Sequence, residues 1–199
     1  MKSQGLGNLT SLSPLVRMFI YDMIPCFSSH VLKEPRLLED KSGRPCLIRL
    51  YHDDERDYSL VKKMYERFEP KEWTQGLPHR SDKVREEWLQ YVFREGINVL
   101  AIMDEGVVGH AALFEMESGK SCEYLVFVHQ DFQNRGIGTA LTQTVKELAE
   151  EMGYRRMLVT VEVINFKAIH VYEKCGFCPV GSKDIECEMV LHLKDDDEG

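Results

Sequence analysis

From Cys46 onward the chain switches between two hydrophobic periods. Cys46 to Tyr51 is a short apolar run that predicts a strand. Asp53 to Phe68 places Tyr58, Val61, Met64, Tyr65 and Phe68 at helical spacing. Pro70 to His79 is a loop rich in turn residues. Ser81 then stands as the cap of a second helix, with Val84, Trp88, Tyr91 and Val92 as its apolar face. Asn98 to Met103 and Val107 to Phe114 read as strands joined at Asp104-Glu105-Gly106, a hairpin signal. Tyr124 to Val128 is a dense apolar run that suits a central strand buried on both faces. A glycine-containing loop follows, then a long helix carrying Ile137, Ala140, Leu141, Val145, Leu148, Ala149 and Met152 on one side, stopped at Gly153. Met157 to Val163 is a β-branched strand, and Asn165 caps a last helix that ends at Gly176. Two final strands lie around Val180 and from Glu188 to Leu193. The order β-α-α-β-β-β-α-β-α-β-β predicts an α/β fold with a mixed sheet.

Residues 1–43 break this rhythm. Ser3, Gly5, Gly7, Asn8, Ser11, Ser13 and Pro14 make a loose start, and one apolar patch, Leu15 to Ile24, could hold a short helix before Pro25, Pro35 and the turn Lys41-Ser42-Gly43-Arg44-Pro45. The expected organisation is a partly irregular N-terminal extension (1–43), one domain (44–194) and a solvated acidic tail (195–199). With 199 residues the chain has room for one domain with its own core. Lys plus Arg number 25 against 33 Asp plus Glu, a net charge of −8. That balance repels phosphate backbones and argues against a general nucleic-acid binder, while leaving room for a local site for one small phosphorylated ligand. Leu15 to Phe27 is broken by Arg17, Asp22 and Pro25, so it suits neither a membrane span nor a signal peptide. The cysteines (Cys26, Cys46, Cys122, Cys175, Cys178, Cys187) are too scattered for a disulfide framework, which points to a reducing, cytoplasmic home.

The stretch from Val126 to Leu141 carries the chemistry. A buried strand runs into a loop with Gly136 and Gly138 and then into a helix start. The first helical turn leaves backbone N–H groups without partners, and the helix dipole adds partial positive charge there. Glycine lets a ligand approach the backbone closely. Together these make an anion site fit for a phosphate or pyrophosphate. A P-loop needs Lys-Ser or Lys-Thr after its second glycine, where this chain has Thr139-Ala140. The dinucleotide fingerprint needs Gly or Ala three residues after the second glycine, where this chain has Leu141. The Cys175-Gly176-Phe177-Cys178 pair has no second pair to complete a zinc site and reads as structural.

Gln133-x-x-Gly136-x-Gly138, preceded by Val128 and Phe132, resembles the acyl-CoA pyrophosphate loop of the GCN5-related N-acetyltransferases (GNAT). A second block, Asn165, Ala168, Tyr172 and Gly176-Phe177, is similar to that family as well, one helix and one strand later. The resemblance covers roughly residues 46 to 193 and departs at Asn134, where the family often has Gly. It implies a mixed, mostly antiparallel sheet flanked by helices and splayed beside the motif strand. Pantetheine would lie in the splay against the backbone of Val126, Phe127 and Val128, with a strand N–H near Val128 polarising the thioester carbonyl. Gln133, Asn134, Arg135, Gly136, Ile137, Gly138 and Thr139 would hold the pyrophosphate, mainly through backbone N–H groups, and Asn165 would sit near the pantetheine.

Tyr172 would protonate the departing thiolate, since a phenol is protonated at neutral pH; read from the helix alone, it is a half-buried core tyrosine. Asn165 is equally a plain helix cap. Glu123, at the start of the motif strand, is the expected general base, with Glu115, Glu117 and His129 as rivals. The implied activity is transfer of an acetyl group from acetyl-CoA to a primary amine by direct attack, with no metal. The alternative is a CoA-binding sensor that has lost catalysis, and retention of Tyr172 counts against it. The acceptor, a small molecule or a protein lysine or N-terminus, would be selected by Tyr65 to Arg80. Nucleic acid and membrane are not expected partners; a homodimer is left open.

Overall fold

The computed structural model of the protein describes residues 35–69, 77–104, 106–116, 119–181 and 185–193. The helix expected within Leu15 to Ile24, Pro70 to Gly76 of the interhelical loop, Glu105, Glu117, Cys26 and the tail 195–199 lie outside them. Strands β1 (Arg36–Glu39), β2 (Pro45–Leu50), β3 (Ile97–Met103), β4 (Gly106–Glu115), β5 (Ser121–Val128), β6 (Arg156–Glu162), β7 (Cys178–Val180) and β8 (Glu186–His192) form one sheet in the order β1-β2-β3-β4-β5-β6-β8-β7. Helices α1 (Glu55–Glu66) and α2 (Asp82–Glu95) precede β3, α3 (Ile137–Glu151) joins β5 to β6, and α4 (Phe166–Lys174) joins β6 to β7. Every strand pair is antiparallel except β5–β6, which is parallel because α3 carries the chain back across the sheet. This is the mixed, mostly antiparallel α/β architecture expected from the sequence. Among the described residues no helix is long and apolar enough to cross a membrane.

Each face of the sheet has its own core, as a half-covered strand alternation requires. On one face α3 and α4 bury Ile137, Leu141, Val145, Leu148 and Tyr172 against Tyr124, Met157, Val159 and Val161. On the other, α1 and α2 bury Val61, Met64, Tyr65 and Leu89 against Leu100, Val107 and Phe127. Helix α1 starts where Asp54 accepts a hydrogen bond from the Asp57 N–H at 2.7 Å. Asp57, itself buried, takes a bidentate pair from Arg49 of β2 at 2.6 and 2.7 Å, pinning the helix start to the sheet.

Two local readings change. Ser81 occupies the cap position of α2 but its side chain makes no capping bond. The inward stripe of α2 is Arg85, Leu89 and Val92, whereas Val84 and Tyr91 are 41% and 50% exposed. The helix is turned because Arg85 tucks under the preceding loop, donating to the carbonyls of His79 and Arg80. In addition, Arg36–Glu39 forms a strand paired with β2, so the turn Lys41-Ser42-Gly43-Arg44 is the tip of a hairpin.

Candidate active site

Strands β5 and β6 pair only from Ser121 to Glu123, opposite Arg156 to Leu158. Beyond that point they diverge, while β5 keeps its ladder with β4 as far as Val128 and β6 keeps its own with β8 as far as Glu162. The gap is a cleft of about 240 Å³ reached by side chains from both faces of the sheet. The His129 N–H bonds the Val108 carbonyl at 2.9 Å, which makes the adjacent Gly109–Val128 pair a non-hydrogen-bonded one. The backbone groups of Val128, and of Val126 two residues earlier, therefore turn away from β4 into the gap. Those of Phe127 turn toward β4, and its ring lies in the α1–α2 core.

At the far end of β5 the chain makes a 3₁₀ turn (Gln130–Phe132) and enters α3. Gly136 is the N-cap of α3 with φ +88°, a left-handed conformation that side chains resist. Asn134 also takes a left-handed φ of 62°, which asparagine tolerates better than most residues. The first helical bond runs from the Ala140 N–H to the Gly136 carbonyl at 2.9 Å, leaving the N–H groups of Ile137, Gly138 and Thr139 ahead of it on the first turn. A Cβ on Gly138 would meet Val128 Cγ2 at 3.6 Å, and one on Gly136 would meet the Lys41 stem at 3.8 Å. Both are ordinary van der Waals distances, and the first turn presents its backbone N–H groups as an anion-binding cradle can.

Side chains of the loop do other work. Gln133 Nε2 donates to the Val128 carbonyl at 3.1 Å, tying the loop to the strand end. Arg135 donates to the Asp131 carbonyl at 2.7 Å and lies 3.7 Å from Asp40 and over the Phe132 ring. Ile137 is buried under the cradle.

Tyr172 lines the gap from α4 and is 5% exposed. Its ring meets Tyr124 edge-on with centroids 6.3 Å apart. Burial, with a smaller contribution from Cys175, raises its pKa well above the usual 10, so the phenol holds its proton. Glu123 is exposed on the gap's rim, on the opposite face: alternation from Tyr124 puts it on the α2 side together with Leu125 and Phe127. Asn165 caps α4, its Oδ1 accepting from the Ala168 N–H at 3.2 Å, and also lines the gap. The rivals sit elsewhere. Glu115 accepts from Tyr154 at 3.4 Å, and His129 lies in the turn beyond β5. Cys175 is buried at the end of α4 and Cys178 is exposed on β7.

Three features behind the site are absent from any reading of the sequence by spacing. Thr142 donates to the Gly138 carbonyl at 2.8 Å and accepts from the Tyr124 hydroxyl at 2.9 Å, bracing the first turn of α3 from the strand below. The β1–β2 turn packs on the glycine loop, with the Lys41 N–H donating to the Arg135 carbonyl at 3.0 Å. Fully buried His110 joins Tyr65 to Asn98, with contacts of 2.7 Å at Nδ1 and 2.9 Å at Nε2. Each includes a contact between positions far apart in the chain, which no local pattern signals.

Comparisons with known proteins converge on one family. The sequence pattern of the Acetyltransferase (GNAT) family matches residues 47–177. An L-amino acid N-acetyltransferase, AaaT of Escherichia coli (strain K12), is 31% identical over 135 residues, 65% of this chain and 82% of that protein. The GNAT domain of S. lividans PAT superposes with a TM-score of 0.68 at 19% identity, over 82% of this chain and 98% of that one. A spermidine N-acetyltransferase from Vibrio cholerae, solved with CoA and spermine, superposes with a TM-score of 0.60 at 17% identity, over 73% and 95% of the two chains.

Proposed function

Because the chain belongs to the GNAT acetyltransferase family, we propose that it transfers an acetyl group from acetyl-CoA to a primary amine. The carrying observation is the gap between β5 and β6: it turns the backbone of Val126 and Val128 outward, ends at the glycine-lined start of α3, and holds the buried phenol of Tyr172. The CoA in the Vibrio cholerae structure and the acetyl transfer in the name of the Escherichia coli relative support the same donor.

Acetyl-CoA supplies the thioester whose acyl group moves. The N–H groups of Val126 and Val128 would bond the amides of an extended pantetheine, and that of Val128 would polarise the thioester carbonyl. The backbone from Gln133 to Thr139 receives the pyrophosphate. Glu123 takes a proton from the acceptor amine, directly or through one water. Tyr172, on the other face of the sheet, gives its proton to the departing thiolate. Amine and thiol therefore work from opposite sides of the splay, which lets the amine attack directly in a ternary complex. The test is release of free thiol from acetyl-CoA over a panel of amines, beside calorimetric CoA binding. Thiol release with an acylated product supports the proposal. Tight CoA binding with no transfer to any amine replaces it with the sensor reading.

A further inference from the structure

Resting on that reading of the cleft, we infer that the acceptor is a primary amine carried on an apolar, ring-bearing or branched body with no carboxylate group. The acceptor side is the α2 face of the gap. Its walls there are Leu77, Trp88, Tyr91 and Phe114, and its charged groups are Glu123 and Glu162. Tyr91 stacks on Phe114 with centroids 6.1 Å apart and planes within 14°, forming one flat aromatic wall. Glu162 belongs to this face because its neighbour Val161 packs into the α3–α4 core. The register sets Glu186 opposite Glu162, and Glu188 opposite Thr160, so exposed carboxylates continue along the same face of β8. Among the described residues no Lys, Arg or His lines the cleft.

This set of groups discriminates. An ammonium entering the gap meets two carboxylates and the faces of aromatic rings, both attractive to a cation. An apolar body is covered by Trp88, Tyr91 and Phe114. Among the described residues an acceptor carboxylate finds no countercharge along the cleft lining and faces the like charge of Glu123 and Glu162 in a partly desolvated site. The amino-acid class named for the Escherichia coli relative is therefore disfavoured here.

The experiment uses the full chain, acetyl-CoA and matched acceptor pairs that differ only by a carboxylate: phenethylamine against phenylalanine, and 3-methylbutylamine against leucine. The expected result is a kcat/KM higher by tenfold or more for the amine of each pair, the order of a like-charge contact at a partly shielded distance. A second arm is Glu162→Gln, which is expected to narrow that ratio severalfold while leaving the KM for acetyl-CoA unchanged. Equal or better use of the amino acids, with CoA bound and thiol released, overturns the acceptor class and leaves the acetyltransferase reading standing. A ratio unmoved by Glu162→Gln overturns the charge argument, and a preference for spermidine over phenethylamine overturns the apolar body. Absence of CoA binding to the unmodified protein removes the underlying reading and this inference with it.

Discussion

At the scale of single residues the proposed mechanism divides the site into groups that would act through a side chain and groups that would act through the backbone. Tyr172 belongs to the first kind. Its hydroxyl has no hydrogen-bond partner among the described residues, while its ring packs on Tyr124 and Phe177. Tyr172→Phe removes the proton donor and keeps the packing. Under the proposed mechanism kcat falls by about 10²-fold, the low end for general acid catalysis, because water replaces the phenol in part. CoA affinity and the melting temperature stay near wild type. Wild-type turnover in that variant takes Tyr172 out of the chemistry. The position of Tyr172 was legible from its place in the second motif block. That Glu123 faces the opposite side of the sheet follows only from strand alternation once Tyr124 is seen to face α3. Gln133 and Arg135 are expected to serve the pyrophosphate mainly through their backbone N–H groups, and their side chains are engaged with the Val128 and Asp131 carbonyls.

At the scale of elements, the start of α3 is the proposed anion site, and its geometry makes a sharp prediction. Gly136 combines φ +88° with the Lys41 stem 3.8 Å from where a Cβ would sit. Gly136→Glu brings a strained backbone, a side chain in the cradle and a negative charge against the pyrophosphate. Calorimetry is expected to show CoA binding lost while the circular dichroism spectrum keeps its native shape; unchanged affinity removes the loop from the site. The β1–β2 hairpin supplies a related test. Lys41 lies over Gly136 with its backbone bonded to Arg135, and it falls outside the segment that matches the family. Lys41→Glu puts a negative charge beside the same cradle and is expected to weaken CoA binding severalfold, more at low salt than at high. Equal affinity in both salts places the ammonium away from the phosphates. The hairpin was not legible because β1 has four residues and Leu37 points to solvent at 71% exposure, too short and too polar an alternation to register. The misread face of α2 has a different cause: periodicity counts apolar letters, and here a buried arginine satisfied by loop carbonyls outcompeted Val84 and Tyr91 for the inside.

At the scale of the whole molecule, element order was readable because every long element carries its own period, and the splay was expected from family resemblance. The polar core beneath the acceptor side was not, since it joins α1, β3 and β4. Its protonation state follows from its bonds. Asn98 Nδ2 donates to the carbonyls of Val92 and Gly96, so its Oδ1 accepts from His110 Nε2–H. Nδ1 is then the acceptor of the Tyr65 hydroxyl, and the imidazole is neutral with no room for a second proton. Burial pulls its pKa down to about 3 from an ordinary 6.5. Between those values the unfolded chain binds a proton at this histidine that the folded chain refuses, so stability falls as pH drops below 6.5. The slope approaches tenfold in the folding equilibrium per pH unit. Asp57, held below its ordinary 3.8 by Arg49, weakens the fold in the same direction, but only in more acidic solution. Glu86, held below its ordinary 4.5 by Lys62, and Asp40, held below 3.8 by Ser42, act in the same direction. These carboxylates are common to wild type and His110→Gln, so the difference in urea midpoint between the two proteins from about pH 5 to 6.5 isolates His110. The variant is expected to be less stable near pH 7.5, having lost the ring that stacks on Phe93. It is also expected to lose most of the decline that wild type shows on going to pH 5. Parallel pH profiles for the two proteins would mean that His110 takes up its proton as readily in the fold as in the unfolded chain, and the Tyr65–His110–Asn98 assignment would fail.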